Sequence, residues 1–388
     1  MEFIHDKTFF SEAKIRNRAE QYGFSDPLPV ELFLWDCEIT AQLQSESASF
    51  ILKGGTAVQL HLPAKMQRGS VDVDIVFPFT EQEIGEALSR IQKRLQPVVE
   101  FERYNPKRPK KRINLITYIA KTSALLPSEN NKPREIKIDF LLENLGLPTV
   151  TVSEVETFAV EIRKLKCYSI TSLIGDKLLT LAENTVGITE SADIPKQLYD
   201  ISLLTERNAL AQKQFSEIVD VIETLTPIEA GYRNLKLSSK DALNDIAKTM
   251  EKYSLLDTAG ADASIKENIT NFQQFYVSTS QRQPWYNWCT RALKIRFLAQ
   301  TITAILDKQI TSKEAAEEHN TTTKTEQTLK LVRGEDADKL KKQLMESADT
   351  KIPYYRELKG KPVDRVFWQV VSRKNLKTIQ NLVEPKDA

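Results

Sequence analysis

Residues 50–77 read FILKGGTAVQLHLPAKMQRGSVDVDIVF, and the fold of the first half of the chain follows from how this stretch is read. Phe50-Ile51-Leu52 is an apolar run of strand length. Gly54-Gly55 breaks it, Ala57 to Leu62 carries a short helical pattern, and Val71 to Phe77 forms a second strand. In that second strand Val71, Val73 and Ile75 point to one face, and Asp72, Asp74 and Val76 to the other. Two carboxylates side by side on one strand face repel each other unless a cation lies between them. An oxygen-only pair of this kind suits Mg²⁺ or Mn²⁺. Gly54 and Gly55 let the backbone approach a phosphate closely, and the helix that follows opens with free N–H groups. A lone glycine pair is usually a turn, and a lone Asp-x-Asp is usually a solvated strand face. In strand, glycine pair, helix, strand order, with Arg68 and Ser70 just before the carboxylates, they point to metal-assisted nucleotide transfer.

Composition bounds the setting. The 388 residues are 41% hydrophobic and 28% charged, ordinary for a globular chain of two or three domains with a real core. No apolar run reaches membrane-spanning length, and the N-terminus MEFIHDKTFF lacks the pattern of a secretory signal. Cys37, Cys167 and Cys289 are few and widely spaced, which reads as reduced thiols in a cytoplasmic protein and offers no zinc spacing. The net charge is +1, so no global basicity announces nucleic acid, yet residues 281–388 hold 21 Lys/Arg against 14 Asp/Glu.

Around the central stretch, helical spacing predicts a helix over 29–47, packed beside the first strand. Thr80 and Glu83 form a capping box that opens a second helix, with Ile84, Leu88, Ile91 and Leu95 on its buried face. Strands are expected at Val98–Tyr104, Ile113–Ala120 and Glu135–Leu142. The link between the first two is strongly basic. Lys107, Arg108, Lys110 and Lys111 read either as a solvated hairpin or as an arm that tracks an RNA backbone. In the third strand Ile136, Ile138 and Phe140 alternate with Lys137 and Asp139, and a carboxylate in such a strand needs a partner or an edge. Residues 143–168 read as a connector into a helical region. There Lys177 falls on the apolar arc of Leu173, Ile174, Leu178 and Leu181, so it either meets an anion or snorkels outward. Asp200 lies among Leu198, Ile201, Leu203 and Leu204, and a Lys177–Asp200 pair would account for both charges. Beyond residue 206 the pattern is helical throughout, with Thr321-Thr322-Thr323 as a polar connector and Arg365–Val383 as a helix with one basic face. The aromatic cluster Trp285-Tyr286-Asn287-Trp288 reads as core at a helix start.

KGGTA followed by RGSVDVD resembles the AbiEii-type nucleotidyltransferases, toxins of type IV toxin–antitoxin and abortive-infection systems within the polymerase-beta-like superfamily. The resemblance extends over roughly residues 28–206. It implies an α/β (α+β) architecture: a polymerase-beta-like nucleotidyltransferase domain with a mixed sheet at 1–145, a helical domain completing the active site at 146–257, and a helical region at 258–388. It further implies that Asp72 and Asp74 bind Mg²⁺ (or Mn²⁺), with Asp139 as the third carboxylate. Gly54, Gly55, Thr56, Arg68 and Ser70 would hold the NTP substrate. Lys177 and Asp200 match a lysine helix and a DLYDL-like helix of the family, although Gln197 stands where many members carry another aspartate. The implied acceptor is RNA, a tRNA 3′ end, and the implied partner a cognate antitoxin. The residues alone leave open a small-molecule or protein acceptor, and a nucleotide-binding module without catalysis.

Overall fold

The computed structural model of the chain describes residues 1–105, 114–143, 145–208, 210–347, 352 and 354–373. They form two compact units, Met1–Leu173 with Asn271–Arg282, and Ile174–Thr270 with Gln283–Ala388.

The first unit is built on a mixed seven-stranded sheet. Its strands are β1 (Ile51–Lys53), β2 (Asp72–Val76), β3 (Val99–Arg103), β4 (Leu115–Thr122), β5 (Arg134–Leu141), β6 (Thr149–Glu156) and β7 (Glu161–Tyr168), in the order β3-β4-β5-β2-β1-β7-β6. β2 runs parallel to β5, β1 parallel to β7, and the other pairs are antiparallel. The helices of this unit are α1 (Glu12–Tyr22), α2 (Leu28–Glu46), the short α3 (Gly54–Gln59) and α4 (Glu81–Leu95). The expected capping box of α4 is present, with Thr80 and Glu83 bonding reciprocally, and Ile84, Leu88, Ile91 and Leu95 are buried.

α2 is buried all round from Pro29 to Leu43 and packs against β2, β5 and β7. Three acids ride inside it, each with a partner. Glu31 accepts from the Leu125 N–H (2.7 Å) and Arg134 (3.1 Å). Glu38 accepts from the His5 N–H (3.1 Å) and Gln42 (2.8 Å). Asp36 reaches Thr56. Phe50 stacks on Phe77 with ring centroids 3.9 Å apart and meets Phe140 edge-on, which locks β1, β2 and β5 into one core.

Residues 143–168 are no mere connector. β6 and β7 are a hairpin that extends the sheet past β1, and residues 146–173 belong to the first unit. β7 buries Ile162, Leu165, Cys167 and Tyr168, but β6 is polar on both faces except at Val positions and resembles a solvated loop in composition.

The second unit is helical. α5 (Ile170–Thr180) leads into it, followed by α6 (Ile194–Arg207), α7 (Gln212–Tyr232), α8 (Ser239–Tyr253), α9 (Ala263–Tyr276, whose residues from Asn271 on belong to the first unit), α10 (Trp285–Leu306), α11 (Ser312–Leu329), α12 (Gly334–Ser347) and α13 (Val363–Val371). Thr321–Thr323 lie within α11 rather than between helices. Their hydroxyls donate back to the carbonyls of Glu317, Glu318 and His319, which lets a threonine run stay helical. α13 is buried along its whole length, so it is not a basic surface helix. Its Arg365 is fully buried and bonds to Asp257 and the Ser254 carbonyl. Residues 374–388 lie outside the described residues. Of the aromatic cluster at the start of α10, Trp288 is fully buried beside Tyr199, as core, whereas Tyr286 is exposed.

Candidate active site

The site in the first unit starts from the turn between β1 and α3. Lys53 is extended and Gly54 has φ +70°, a left-handed conformation that disfavours any Cβ. Space excludes one as well, because a Cβ on Gly54 would come within 1.9 Å of Asp74 Oδ2. A Cβ on Gly55 would stand 2.9 Å from Ser70 Oγ and 3.1 Å from Arg68 Nη2. The two glycines therefore let the backbone lie directly against Asp74, Ser70 and Arg68.

The loop before β2 is pinned from several sides. Gln67 donates to the carbonyls of Gln59 and Leu62 (both 2.8 Å) and accepts from the Phe158 N–H (3.0 Å). The Arg68 N–H donates to Gln59 Oε1 (2.9 Å), and the Gly69 N–H to the Tyr276 carbonyl (2.8 Å). Arg68 is buried, with its guanidinium 5.9 Å from the Phe272 ring centroid and Nη1 donating to the Gly69 carbonyl. A rigid approach of this kind fixes where the next two charged residues emerge.

Those residues, Asp72 and Asp74, are partly exposed on β2, while Val73 and Ile75 are fully buried. β5 sets Lys137 opposite Asp72 and Asp139 opposite Asp74. With Thr117 on β4 and Lys53 on β1, a row Thr117–Asp139–Asp74–Lys53 crosses four strands. Asp139 is held from both sides. Thr117 Oγ1 donates to its Oδ1 (2.6 Å), and Lys137 forms an ion pair with its Oδ2. Partial burial works against the Lys137 ammonium, but Asp139, and behind it Asp72 and Asp74, hold its pKa above the usual lysine value.

Beneath the row lies Asp36. Burial pushes its carboxyl far above the usual range, and the neighbouring Asp72 and Asp74 carboxylates push the same way. Thr56 Oγ1 sits 3.2 Å from Asp36 Oδ2 and 3.1 Å from the Asp72 carbonyl oxygen. The Thr56 hydroxyl thus links the buried Asp36 carboxyl to the main chain at Asp72. Thr56 is itself fully buried, so its hydroxyl faces inward and only its main chain borders the glycine turn.

An all-oxygen set on one sheet face suits a hard divalent cation, and the glycine turn leaves the Asp74 carboxylate room that a side chain would fill. Among the described residues, however, no three acidic, histidine or cysteine side chains already converge on a metal-sized point. Asp139 faces Lys137 and Thr117.

In the second unit Lys177 and Asp200 meet as a buried ion pair, Nζ to Oδ2 2.9 Å, with side chains 4% and 0% exposed. The same ammonium donates to Gln197 Oε1 at 2.7 Å. Gln197 thus supplies a neutral acceptor beside the Asp200 carboxylate.

The arrangement thus gathers Gly54, Gly55, Arg68, Ser70, Asp72, Asp74 and Asp139 in one unit and pairs Lys177 with Asp200 in the other. Lys107, Arg108, Lys110 and Lys111 lie outside the described residues. Sequence reading passed over Asp36, Lys53 and Lys137. Asp36 had a signal, a charge inside LFLWDCEI, a run too apolar to leave it solvated.

Residues 40–283, more than half of the chain, match the model of a family described as nucleotidyl transferase AbiEii toxin, type IV TA system. Among solved structures the chain is similar to JHP933 from Helicobacter pylori, at 17% identity over 74% of this chain and 96% of that one, with a TM-score of 0.39. It is also similar to an antigenic nucleotidyltransferase-like protein from Paracoccidioides brasiliensis, at 13% identity over 54% of this chain and 94% of that one, with a TM-score of 0.32. No curated protein matches the sequence. No helix among the described residues is long and apolar enough to cross a membrane.

Proposed function

The chain belongs to the AbiEii family of nucleotidyltransferase toxins, and from that premise we propose that it moves a nucleoside monophosphate from an NTP onto RNA, a tRNA 3′ end, in the cytoplasm. The observation that carries this reading is the register that seats Asp139 beside Asp74, with Asp72 on the same face. Three carboxylates on two adjacent strands, next to a turn stripped of Cβ atoms, suit a triphosphate and its divalent cation better than any purely structural role.

Asp72 and Asp74 would hold Mg²⁺ (or Mn²⁺), with Asp139 as the third ligand. When bound, the cation neutralises phosphate charge and makes the acceptor hydroxyl more acidic. The chain's own residues do the rest. The main chain at Gly54, Gly55 and Thr56 accommodates the triphosphate, and Ser70 and Arg68 border it. The acceptor oxygen attacks the α-phosphorus, the bond to the β-phosphate breaks, and pyrophosphate leaves. Asp139 would bind the cation or help remove the proton of the attacking hydroxyl. The pinned loop 67–70 keeps the two β2 carboxylates from swinging as charge develops. We assign Lys177 and Asp200 to nucleotide chemistry on family membership, a role supported by the burial of their ion pair. A type IV system further implies a cognate antitoxin, and the basic segment at 107–111 is proposed to bind the RNA backbone.

The test is direct. Incubate the protein with each α-labelled NTP, Mg²⁺ and total RNA, and find which nucleotide moves onto what. Label on RNA supports the reading. Label confined to protein or small molecules replaces the acceptor, and label on nothing removes the enzymatic reading of the site.

A further inference from the structure

Lys137 and Asp139 are two apart on β5, so both leave the same sheet face, and the register sets them against Asp72 and Asp74. The Lys137 ammonium therefore shares a patch with three carboxylates, where the proposed function calls for a divalent cation. The Asp139 carboxylate is fully engaged, Oδ1 by Thr117 at 2.6 Å and Oδ2 by Lys137. Among the described residues the carboxylates do not already converge on one point.

Something must move for Asp139 to join Asp72 and Asp74, and the strand cannot. Ile136, Ile138 and Phe140 are fully buried on the opposite face of β5, and a one-residue slip would turn all of them to the polar side. The Thr117 hydroxyl is compatible with a metal-bound carboxylate, because Oδ1 can accept its hydrogen while Oδ2 is used elsewhere. The Lys137 ion pair is not compatible, since it occupies Oδ2 with a positive charge. Lys137 is also the mobile partner. Its side chain is 45% exposed against 14% for Asp139, and its four-carbon stem can carry the ammonium into solvent without disturbing the sheet.

We infer that Lys137 is a positioning residue: an internal cation that neutralises the carboxylate patch and restrains Asp139 until a divalent cation displaces it. The inference rests on the metal reading of Asp72 and Asp74. It makes Lys137 a competitor of the cation, so the residue sets how tightly the site binds its metal.

The experiment uses the full-length protein and Mn²⁺ alone, without nucleotide. Free Mn²⁺ is followed by its EPR signal through a titration of the wild type, Lys137→Met, Lys137→Arg and Asp74→Asn. Removing one positive charge a few ångströms from a divalent cation should tighten binding by about tenfold in Lys137→Met. Lys137→Arg should stay near the wild type. A second measurement needs no variant. Amine acylation of the wild type, read by mass spectrometry, should accelerate at Lys137 when Mn²⁺ is added, because the ammonium loses its carboxylate partner. Lys213, whose side chain is 81% exposed and far along the chain in α7, serves as the unchanged control. Unchanged Mn²⁺ affinity in Lys137→Met, or labelling of Lys137 indifferent to Mn²⁺, overturns the inference while leaving the metal site standing. Absence of saturable wild-type binding that Asp74→Asn removes overturns the metal reading, and this inference with it.

Discussion

The Lys177 ammonium lies 2.9 Å from Asp200 Oδ2, and neither side chain is more than 4% exposed. A buried pair of this kind is costly to break from one side, because the remaining charge loses its counter-ion where little water can reach it. Lys177→Met should therefore lower stability by about 3–5 kcal/mol, and adding Asp200→Asn should restore most of it. Nucleotide transfer should follow a different course. Both the single and the double variant should lose it by about 10²-fold or more if the lysine meets phosphate charge in the transition state. Chemical denaturation and transfer rates on the same samples separate the two effects. Full activity in a folded Lys177→Met protein would remove Lys177 from the machinery.

Gly54 gives a prediction that depends on space as much as on backbone. Alanine there is strained by the positive φ and collides with the Asp74 carboxylate. Gly54→Ala should cost about 1–3 kcal/mol and should turn Asp74 away from Asp139, so activity falls more than stability. Gly231, near the end of α7, is the matched control, with nothing within 4 Å of its built Cβ. Gly231→Ala should leave transfer unchanged and add up to about 1 kcal/mol of stability. Equal activity in the two variants would contradict the close packing of the glycine turn against Asp74.

His319 links stability to pH. Burial, helped by the Lys294 charge, pulls its pKa from 6.5 down to about 4. The folded state thus resists a proton that the unfolded chain accepts. Its contribution is fully present above pH 6.5 and is lost as pH falls toward 4, by roughly 3 kcal/mol in total. His319→Gln cannot take that proton, so the stability gap between variant and wild type should shift in the variant's favour as pH drops from 7 to 4.5. Parallel pH profiles of the two proteins would contradict the depressed pKa.

The basic segment tests the acceptor. Replacing Lys107, Arg108, Lys110 and Lys111 with serine should weaken RNA binding and flatten its salt dependence, by about 0.7–0.9 in log–log slope for each phosphate no longer neutralised. NTP binding should barely change. An unchanged slope would make the segment a solvated hairpin and favour a small-molecule or protein acceptor.

The parts of this molecule that could be read from sequence are those governed by local periodicity. Asp72 and Asp74 share a face because β2 alternates, and Thr80 with Glu83 caps α4 because capping acts over one turn. Asp139 was visible as a charge between fully buried Ile138 and Phe140, although its place beside Asp74 is a matter of register between strands distant in sequence. The β6–β7 hairpin was missed because its polar faces look like loop until a neighbouring strand is supplied. Lys137 and Asp36 were missed for a related reason. One gains its meaning from a cross-strand neighbour and the other from a helix folding over the sheet, and neither relation leaves a local pattern. Arg365 reads as a surface charge until Asp257, more than a hundred residues earlier, is brought to it.

The central claim is that Asp72 and Asp74 serve metal-assisted nucleotidyl transfer. Asp74→Asn tests it most directly, since asparagine preserves shape while removing the charge a cation would need. The measurement is the rate of transfer of α-labelled nucleotide to RNA in Mg²⁺, alongside the melting temperature of the same protein. The account predicts a folded variant, as stable as the wild type or more so without Mg²⁺ because a repulsion has been removed, with transfer abolished. A folded Asp74→Asn protein that transfers nucleotide at the wild-type rate would contradict it.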